Sequence, residues 1–163
     1  MPKPRPPQDF PRSQGGAAIG ALLRRLSDRV DREADAVYRE LGVDFQQRWY
    51  GVINQLTLHD ACSVGELAET LGVSHVAVSQ VRAALEARGL VSVRPEPSDG
   101  RKRLLRLSAA GKRLVARLSP TWDALNLAAR NLDTESGGAA QALLRLEAAL
   151  GAKSLIERVR AKL

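Results

Sequence analysis

The stretch that most constrains the fold is residues 63–111, where two short helices and a hairpin are predicted in succession. Ser63, followed three residues later by Glu66, has the spacing of a capping box, so a helix is expected to begin near Val64. Its apolar residues fall on one helical face, and Gly72 is expected to end it. The pattern therefore predicts a short amphipathic helix at the start of this stretch.

A second helix is predicted directly after a tight turn. Ser74 has the side chain to cap its first turn, and Val78, Val81 and Leu85 recur at the spacing of a core-facing stripe. Gly89 is expected to stop the run. The two helices together have the length and spacing of a helix–turn–helix.

A strand, a basic loop and a returning strand are predicted next. The apolar residues from Leu90 to Val93 indicate one strand, and Leu105 with Leu107 indicates its return. Residues 94–103 (RPEPSDGRKR) lie between them and hold two prolines and a glycine, as turns do. A helix–turn–helix followed by a basic hairpin is the layout of a winged helix, which is a DNA-binding module.

The positive charge of the chain is concentrated in this region. The formal net charge is +7, and residues 74–113 hold nine Lys or Arg against three Asp or Glu, which accounts for +6 of it. Such a local excess is typical of a surface that binds a polyanion, and double-stranded DNA is the expected partner.

Residues 1–16 are expected to form a disordered, basic, proline-rich arm. They include five prolines and two glycines, with three basic residues against one acid. The arm is either an untethered tail or a segment that contacts a DNA groove, and the sequence leaves both interpretations open.

Helices are predicted on both sides of the winged helix. Residues 17–41 carry a long apolar stripe opposite a charged face, and a second helix is expected from Asp44, capped with the help of Gln47, to about Leu58. After the hairpin, Ser108 is expected to cap a long helix that Pro120 should kink or break. Two further helices are expected before the end of the chain.

The later helices have their own boundary signals. One is expected to end at Gly151, and Ser154 with Glu157 forms another capping box for a last short helix. The apolar stripes of the first and last helices need a surface to lie on, so a homodimer is expected.

Length and composition favour a single globular domain and argue against several other classes of protein. At 163 residues with 44% apolar residues, one globular domain over residues 17–163 is expected, divided into residues 17–58, 62–108 and 109–163. No apolar run is long enough for a membrane span, and a single cysteine fits a reducing cytoplasm, where nucleoid association is expected. No catalytic constellation, cofactor motif or metal-ligand spacing is present, so no enzymatic activity, cofactor or metal is expected.

The chain resembles the MarR (multiple-antibiotic-resistance regulator) family of bacterial winged-helix transcription factors. The resemblance is specific over residues 65–111 and rests on these matching runs: Glu66-Leu67-Ala68, Leu71-Gly72-Val73-Ser74, Val78-Ser79, Leu85-Glu86, Gly89-Leu90-Val91, Asp99-Gly100-Arg101 and Leu105-Arg106-Leu107-Ser108-Ala109-Ala110-Gly111. It implies a mainly α (α+β) fold: a winged helix-turn-helix with a small β-hairpin wing, flanked by long N- and C-terminal dimerisation helices. It also implies a homodimer on a pseudo-palindromic operator.

The resemblance implies that the helix of residues 74–88 enters the major groove. A rotation of about 100° per residue, with Val78 and Leu85 facing the core, places Val76, Ser79 and Gln80 on the outward face. Ser79 and Gln80 have side chains that read base edges, and His75 lies at the rim of this face. Ser74 and the helix amino-terminus suit a phosphate.

The wing is implied to reach a flanking minor groove. Arg101 is the residue expected to enter that groove, and Asp99 is expected to order the wing. Lys102, Arg103 and Arg94 are expected to contact phosphates. Gln80 stands where a stronger base-reading residue is common in the family, so shape readout is expected to add to direct readout.

Many relatives release DNA in response to a small aromatic or phenolic ligand or to an oxidant. Tyr38, Trp49 and Tyr50 either line a weak candidate pocket for such an effector or pack in the core. Cys62 is either an oxidant-sensing thiol or a buried, inert residue.

The sequence thus predicts a sequence-specific, DNA-binding transcriptional repressor that acts as a homodimer and is released by a small effector. Two alternatives stay open. One is a non-specific DNA-architectural protein, and the other is a winged-helix module that binds another protein.

Overall fold

The computed structural model describes residues 9–95 and 103–163, which form eight α-helices, two 3₁₀ helices and three strands. In chain order the α-helices are α1 (Phe10–Ser13), α2 (Ile19–Glu40), α3 (Tyr50–His59), α4 (Val64–Leu71), α5 (His75–Ala87), α6 (Ala109–Glu135), α7 (Ala139–Ala152) and α8 (Leu155–Arg160). The strands are β1 (Cys62–Ser63), β2 (Val91–Pro95) and β3 (Arg103–Leu107). The 3₁₀ helices are Gly15–Ala18 and Gln47–Trp49.

The chain divides into two compact units, Met1–Ala116 and Arg117–Leu163. The first holds α1 to α5, the sheet and the start of α6, and its core includes fully buried Ile53, Leu56, Leu67, Leu85 and Leu105. The second holds the rest of α6 with α7 and α8, and neither of these last two helices has a buried residue. The predicted fold class, a mainly helical winged helix with a small sheet, is confirmed.

Local capping signals fold as predicted in the winged helix. Ser63 Oγ accepts a hydrogen bond from the Glu66 backbone N–H at 3.2 Å, and Glu66 Oε2 accepts one from Ser63 N–H at 2.7 Å, completing the capping box of α4. Gly72 ends α4 in the left-handed region, with φ 63°. Ser74 Oγ then caps α5 by accepting from Ala77 N–H.

The junction between α2 and α3 differs from the prediction. Asp44 does not cap the following helix; a 3₁₀ turn, Gln47–Trp49, comes first and has no side-chain cap from its N-cap residue. The backbone N–H of Gln47 instead donates to Asp35 Oδ1 of α2 at 2.6 Å. A carboxylate from the preceding helix therefore satisfies an amide that the sequence assigned to Asp44.

The sheet is antiparallel, with the order β1-β3-β2. The hairpin register runs from Val91 opposite Leu107 to Pro95 opposite Arg103, as the two predicted strands require. The third strand was not predicted. It is the two-residue β1, where Cys62 pairs with Leu105.

The C-terminal helices keep to the predicted order with two differences. Ser108 Oγ caps α6 by accepting from Gly111 N–H at 3.0 Å. The helix continues through Pro120, so the predicted alternative of a break is wrong: proline removes one backbone hydrogen bond, and its neighbours preserve the helix. Gly151 lies inside α7 and does not end it, whereas the Ser154–Glu157 capping box of α8 is confirmed.

The described part of the amino-terminal segment contains two short helical turns. Residues 10–13 form the one-turn α1, and a 3₁₀ turn follows over Gly15–Ala18. Asp9 caps α1 and accepts a hydrogen bond from Arg25 Nη1 of α2 at 2.9 Å. The structure thus gives the second half of the predicted arm short helical turns, and residues 1–8 lie outside the described part.

The apolar stripe of α2 is only partly covered. Leu26 and Val30 are 54% and 52% exposed, and Ile19, Leu23 and Leu41 are exposed too. Among the described residues, no helix has the length and apolar character needed to cross a membrane.

Candidate nucleic-acid interface

Helix α5 presents one buried and one exposed face. Val78 and Leu85 are buried in the core, whereas Val76 is 65% exposed and Gln80 lies on the surface. His75 and Ala83 are exposed beside them, and Ser79 is half-buried. The first two turns of the helix therefore offer an outward surface of small and polar side chains, with Gln80 as the longest hydrogen-bonding group there.

The amino-terminus of α5 is preorganised. Ser74 adopts extended dihedrals, φ −71° and ψ 151°, and its hydroxyl oxygen accepts a hydrogen bond from the Ala77 backbone N–H at 3.2 Å. Ser74, His75 and Val76 are all exposed at this end. The first-turn amides give it the partial positive charge that favours a phosphate.

The hairpin carries its basic residues at the surface. Arg94 of β2 and Arg106 of β3 are exposed and share the face opposite the buried Val91 and Leu105, because side chains alternate along a strand. Arg103 is exposed at the start of β3. Of the other residues assigned to the wing, Asp99, Arg101 and Lys102 lie outside the described residues.

The three aromatic residues considered for an effector pocket have different surroundings. Tyr38 and Trp49 are buried, at 0% and 1% exposure, and Tyr38 O–H donates to Gln47 Oε1 at 2.7 Å. Tyr50 is half-buried. Phe45 joins Tyr38 to Trp49 by edge-on ring contacts with centroid distances of 4.9 and 5.6 Å, so the first role of this cluster is core packing.

Trp49 nevertheless also borders a cavity of about 380 Å³ below α5. Its walls are mainly apolar and come from the second 3₁₀ helix, the start of α3, the end of α4 with the turn after it, and α5. The lining residues are Arg48, Trp49, Gly51, Val52, Leu71, Val73, Ala77, Val78, Gln80 and Val81. Tyr38 and Tyr50 do not line it. Within the described residues, the buried indole Nε1 of Trp49 has no hydrogen-bond partner.

One cluster near α5 was missed from the sequence. Arg88, at the C-terminal end of α5, places its guanidinium carbon 4.6 Å from the Trp49 ring centroid, and its Nε donates to Asp44 Oδ2 at 2.8 Å. Asp44 is 44 residues away in the chain. No local pattern could have signalled this pairing, since it depends on how the α2–α3 loop packs against α5.

Cys62 is buried in β1. Burial raises the pKa of its thiol above the ordinary value, and the nearby Glu66 carboxylate adds to the increase. The thiolate, which is the reactive form, is therefore disfavoured. The part of the chain that the structure describes contains no group of three or more His, Cys, Asp or Glu side chains arranged to hold a metal.

Comparison with known proteins places this geometry in a family. Residues 41–102 match the model of the MarR family, and no curated protein sequence matches the chain. Among solved structures, Staphylococcus aureus MepR in complex with DNA has a TM-score of 0.67 at 18% identity, with 81% of this chain and 98% of that chain covered.

The descriptions of two further solved structures name a ligand. Streptomyces coelicolor PcaV in complex with its natural ligand has a TM-score of 0.63 at 24% identity, covering 82% of this chain and 93% of that one. Bordetella bronchiseptica BpsR, whose DNA binding is regulated by 6-hydroxynicotinic acid, has a TM-score of 0.55 at 25% identity, covering 68% and 77%. The family resemblance seen in the sequence is thus confirmed: residues 41–102 match the MarR-family model, and the described residues share the fold of these solved structures.

Proposed function

We propose that the chain is a homodimeric transcriptional regulator that binds a pseudo-palindromic DNA operator. Helix α5 enters the major groove and the hairpin wing reaches the adjacent minor groove. The observation that carries this proposal is the two-faced α5, whose inner side is fixed in the core by Val78 and Leu85 while Gln80 stays free to reach base edges. The surrounding segment of charge +6 supplies phosphate contacts.

The uncovered apolar helices support a dimer. In one chain, Leu26 and Val30 of α2 are more than half exposed, and so are Leu155 and Ile156 of α8. Apolar surface of this extent is unfavourable in water, and a second copy of the chain is the partner that would cover it with matching stripes. A two-fold dimer would also present two α5 helices to two half-sites about one helical turn apart.

We further propose that binding represses transcription. A dimer with two α5 helices and two wings on one operator would cover that DNA and exclude other proteins from it. The regulated genes follow from the operator sequence once it is known.

Selection of binding sites from a random duplex library tests the proposal. An enriched inverted repeat, followed by affinity measurements at two salt concentrations, supports a specific dimeric regulator. Binding that falls steeply with salt but enriches no motif supports the architectural alternative. An absence of DNA binding supports the protein-interaction alternative and contradicts the proposal.

A specific observation favours effector control as well. The cavity below α5 has the volume of a small-molecule site, Gln80 forms part of its wall, and the Trp49 indole N–H has no protein partner among the described residues. A small aromatic molecule with an acceptor oxygen fits these walls. Binding of such a molecule in the cavity would shift the base-reading helix α5 and release DNA.

Tryptophan emission tests this effector site. In a Trp122→Phe background Trp49 is the remaining tryptophan, so benzoate and phenol can be titrated against its emission and against DNA binding. The proposal predicts saturable quenching that parallels DNA release, weakened by Val73→Phe at the exposed edge of the cavity. Quenching that does not saturate, or that Val73→Phe leaves unchanged, contradicts it.

A further inference from the structure

Arg88 joins three separate parts of the first compact unit. Its Nη1 donates to the Ala84 carbonyl of α5 at 3.3 Å, and its Nε donates to Asp44 Oδ2 in the α2–α3 loop at 2.8 Å. Its guanidinium also stacks over Trp49, 4.6 Å from the ring centroid. A single side chain thus holds the C-terminal end of the base-reading helix.

The partners of Arg88 lead back to α2. Trp49 contacts Phe45 edge-on, and Phe45 contacts Tyr38 of α2 in the same way. All three rings are at most 4% exposed, so they are close-packed and have little freedom to shift. A continuous stack therefore runs from α2 through the three rings to the end of α5.

The cluster contributes little stability through its ion pair. The Arg88 and Asp44 side chains are 36% and 73% exposed, and exposed ion pairs are weak because water and salt screen them. What the planar guanidinium adds is geometry, since its fork forms hydrogen bonds in fixed directions while its central carbon lies over the Trp49 ring. The arrangement defines the direction of α5 relative to α2.

We propose that Arg88 is a positioning residue that sets the half-site spacing the dimer accepts. This inference rests on the proposed function, in which α2 packs against a second copy of the chain and α5 reads one half-site. If α5 is fixed to α2 through Arg88 and the aromatic stack, the separation of the two base-reading helices is fixed as well. Without Arg88 the end of α5 has more freedom, and the dimer tolerates other spacings.

The test measures affinity for a series of duplexes in which the selected half-sites are moved apart or together by one or two base pairs. Arg88→Gln is expected to lose about fivefold affinity at the preferred spacing, in line with the loss of one cation–π contact, and to discriminate less among the others. Arg88→Lys keeps the charge and lacks the planar fork, so it is expected to behave like Arg88→Gln.

Arg39→Gln is the matched control, because it removes one exposed positive charge from the end of α2. It should leave the spacing preference unchanged. Thermal unfolding tests whether each variant is folded. Trp49 emission, measured in the Trp122→Phe background, should change in the Arg88 variants and stay unchanged in Arg39→Gln.

The outcomes separate the inference from the proposed function. If the wild-type chain selects no inverted repeat, the proposed function fails and the inference fails with it. If the wild-type chain prefers one spacing and folded Arg88→Gln retains the same preference, or Arg88→Lys restores it fully, the positioning role alone is overturned. A flattened spacing profile in both variants, with Arg39→Gln unchanged, supports it.

Discussion

Gly111, in the first turn of α6, packs directly against the backbone carbonyl of Leu90, just before β2. A Cβ added to Gly111 would lie 2.1 Å from that oxygen and 3.3 Å from Leu107 Cδ2. The same carbonyl accepts a hydrogen bond from Ser108 N–H at 3.0 Å, so it is held in place. This close approach joins the base of the hairpin to the start of α6.

Gly111→Ala is therefore expected to destabilise the fold by about 2–3 kcal/mol, because helix and hairpin backbones must separate to admit the methyl group. Gly65→Ala is the control: its Cβ would meet only ordinary contacts at 3.6 and 3.8 Å, and alanine is the better helix former. Denaturant unfolding of both variants measures the difference. Equal stability of the two would show that the Gly111 contact relaxes without cost.

Leu26→Glu is expected to convert a dimer into a monomer. Leu26 lies on the apolar stripe of α2 and is 54% exposed in one chain. In a dimer joined through this stripe, the glutamate would be buried as a charge without a partner, which is strongly unfavourable. Arg32→Glu, at an exposed position on the charged face of α2 opposite the stripe, is the control. Sedimentation equilibrium gives the masses, and a Leu26→Glu chain that remains dimeric would place the interface elsewhere.

Cys62 is expected to make the fold lose stability at alkaline pH. Because burial raises the pKa of this thiol, the folded protein holds the proton more tightly than the unfolded chain. The resulting stabilisation is complete below the ordinary thiol pKa and is lost as the pH rises through the raised one. The free energy of unfolding should fall less for Cys62→Ala than for the wild type over that range; parallel curves would contradict a raised pKa.

Arg101→Ala is expected to weaken operator binding and to reduce the slope of log affinity against log salt by about one unit. Without Arg101, one fewer positive charge reaches the minor groove, so fewer counterions are released from the DNA when the protein binds. Ser119→Ala, at an exposed and uncharged position of α6, is the control for handling and folding. An unchanged affinity and salt slope for Arg101→Ala would remove the wing from the proposed interface.

Most short-range signals in the sequence were reliable, although the stop predicted at Gly151 lies inside α7. The Ser63–Glu66 and Ser154–Glu157 capping boxes and the Gly72 stop were confirmed because each depends on groups within a few residues. Apolar periodicity likewise identified the buried side of α5, where Val78 and Leu85 face the core.

Three other failures involve groups that are distant in the chain. Asp44 was assigned to a helix cap because Gln47 follows three residues later, yet it bonds Arg88, and the amide of Gln47 is satisfied by Asp35. Strand β1 has two residues, too few for any alternation to be seen, and exists because β3 lies alongside it. The cavity below α5 depends on three packed elements, so it had no signature in any one of them.

The most direct test of the account is to repeat the random-duplex selection with Gln80→Ala. Gln80 is the longest hydrogen-bonding side chain on the exposed face of the first two turns of α5. Loss of a bidentate base contact costs roughly 1–3 kcal/mol of discrimination. We expect an inverted repeat in which the base preference relaxes at one position, at the symmetry-related place in both half-sites. A selected motif identical to that of the wild type would contradict the assignment of α5 as the base-reading helix, and so would a uniform loss of affinity across all sequences.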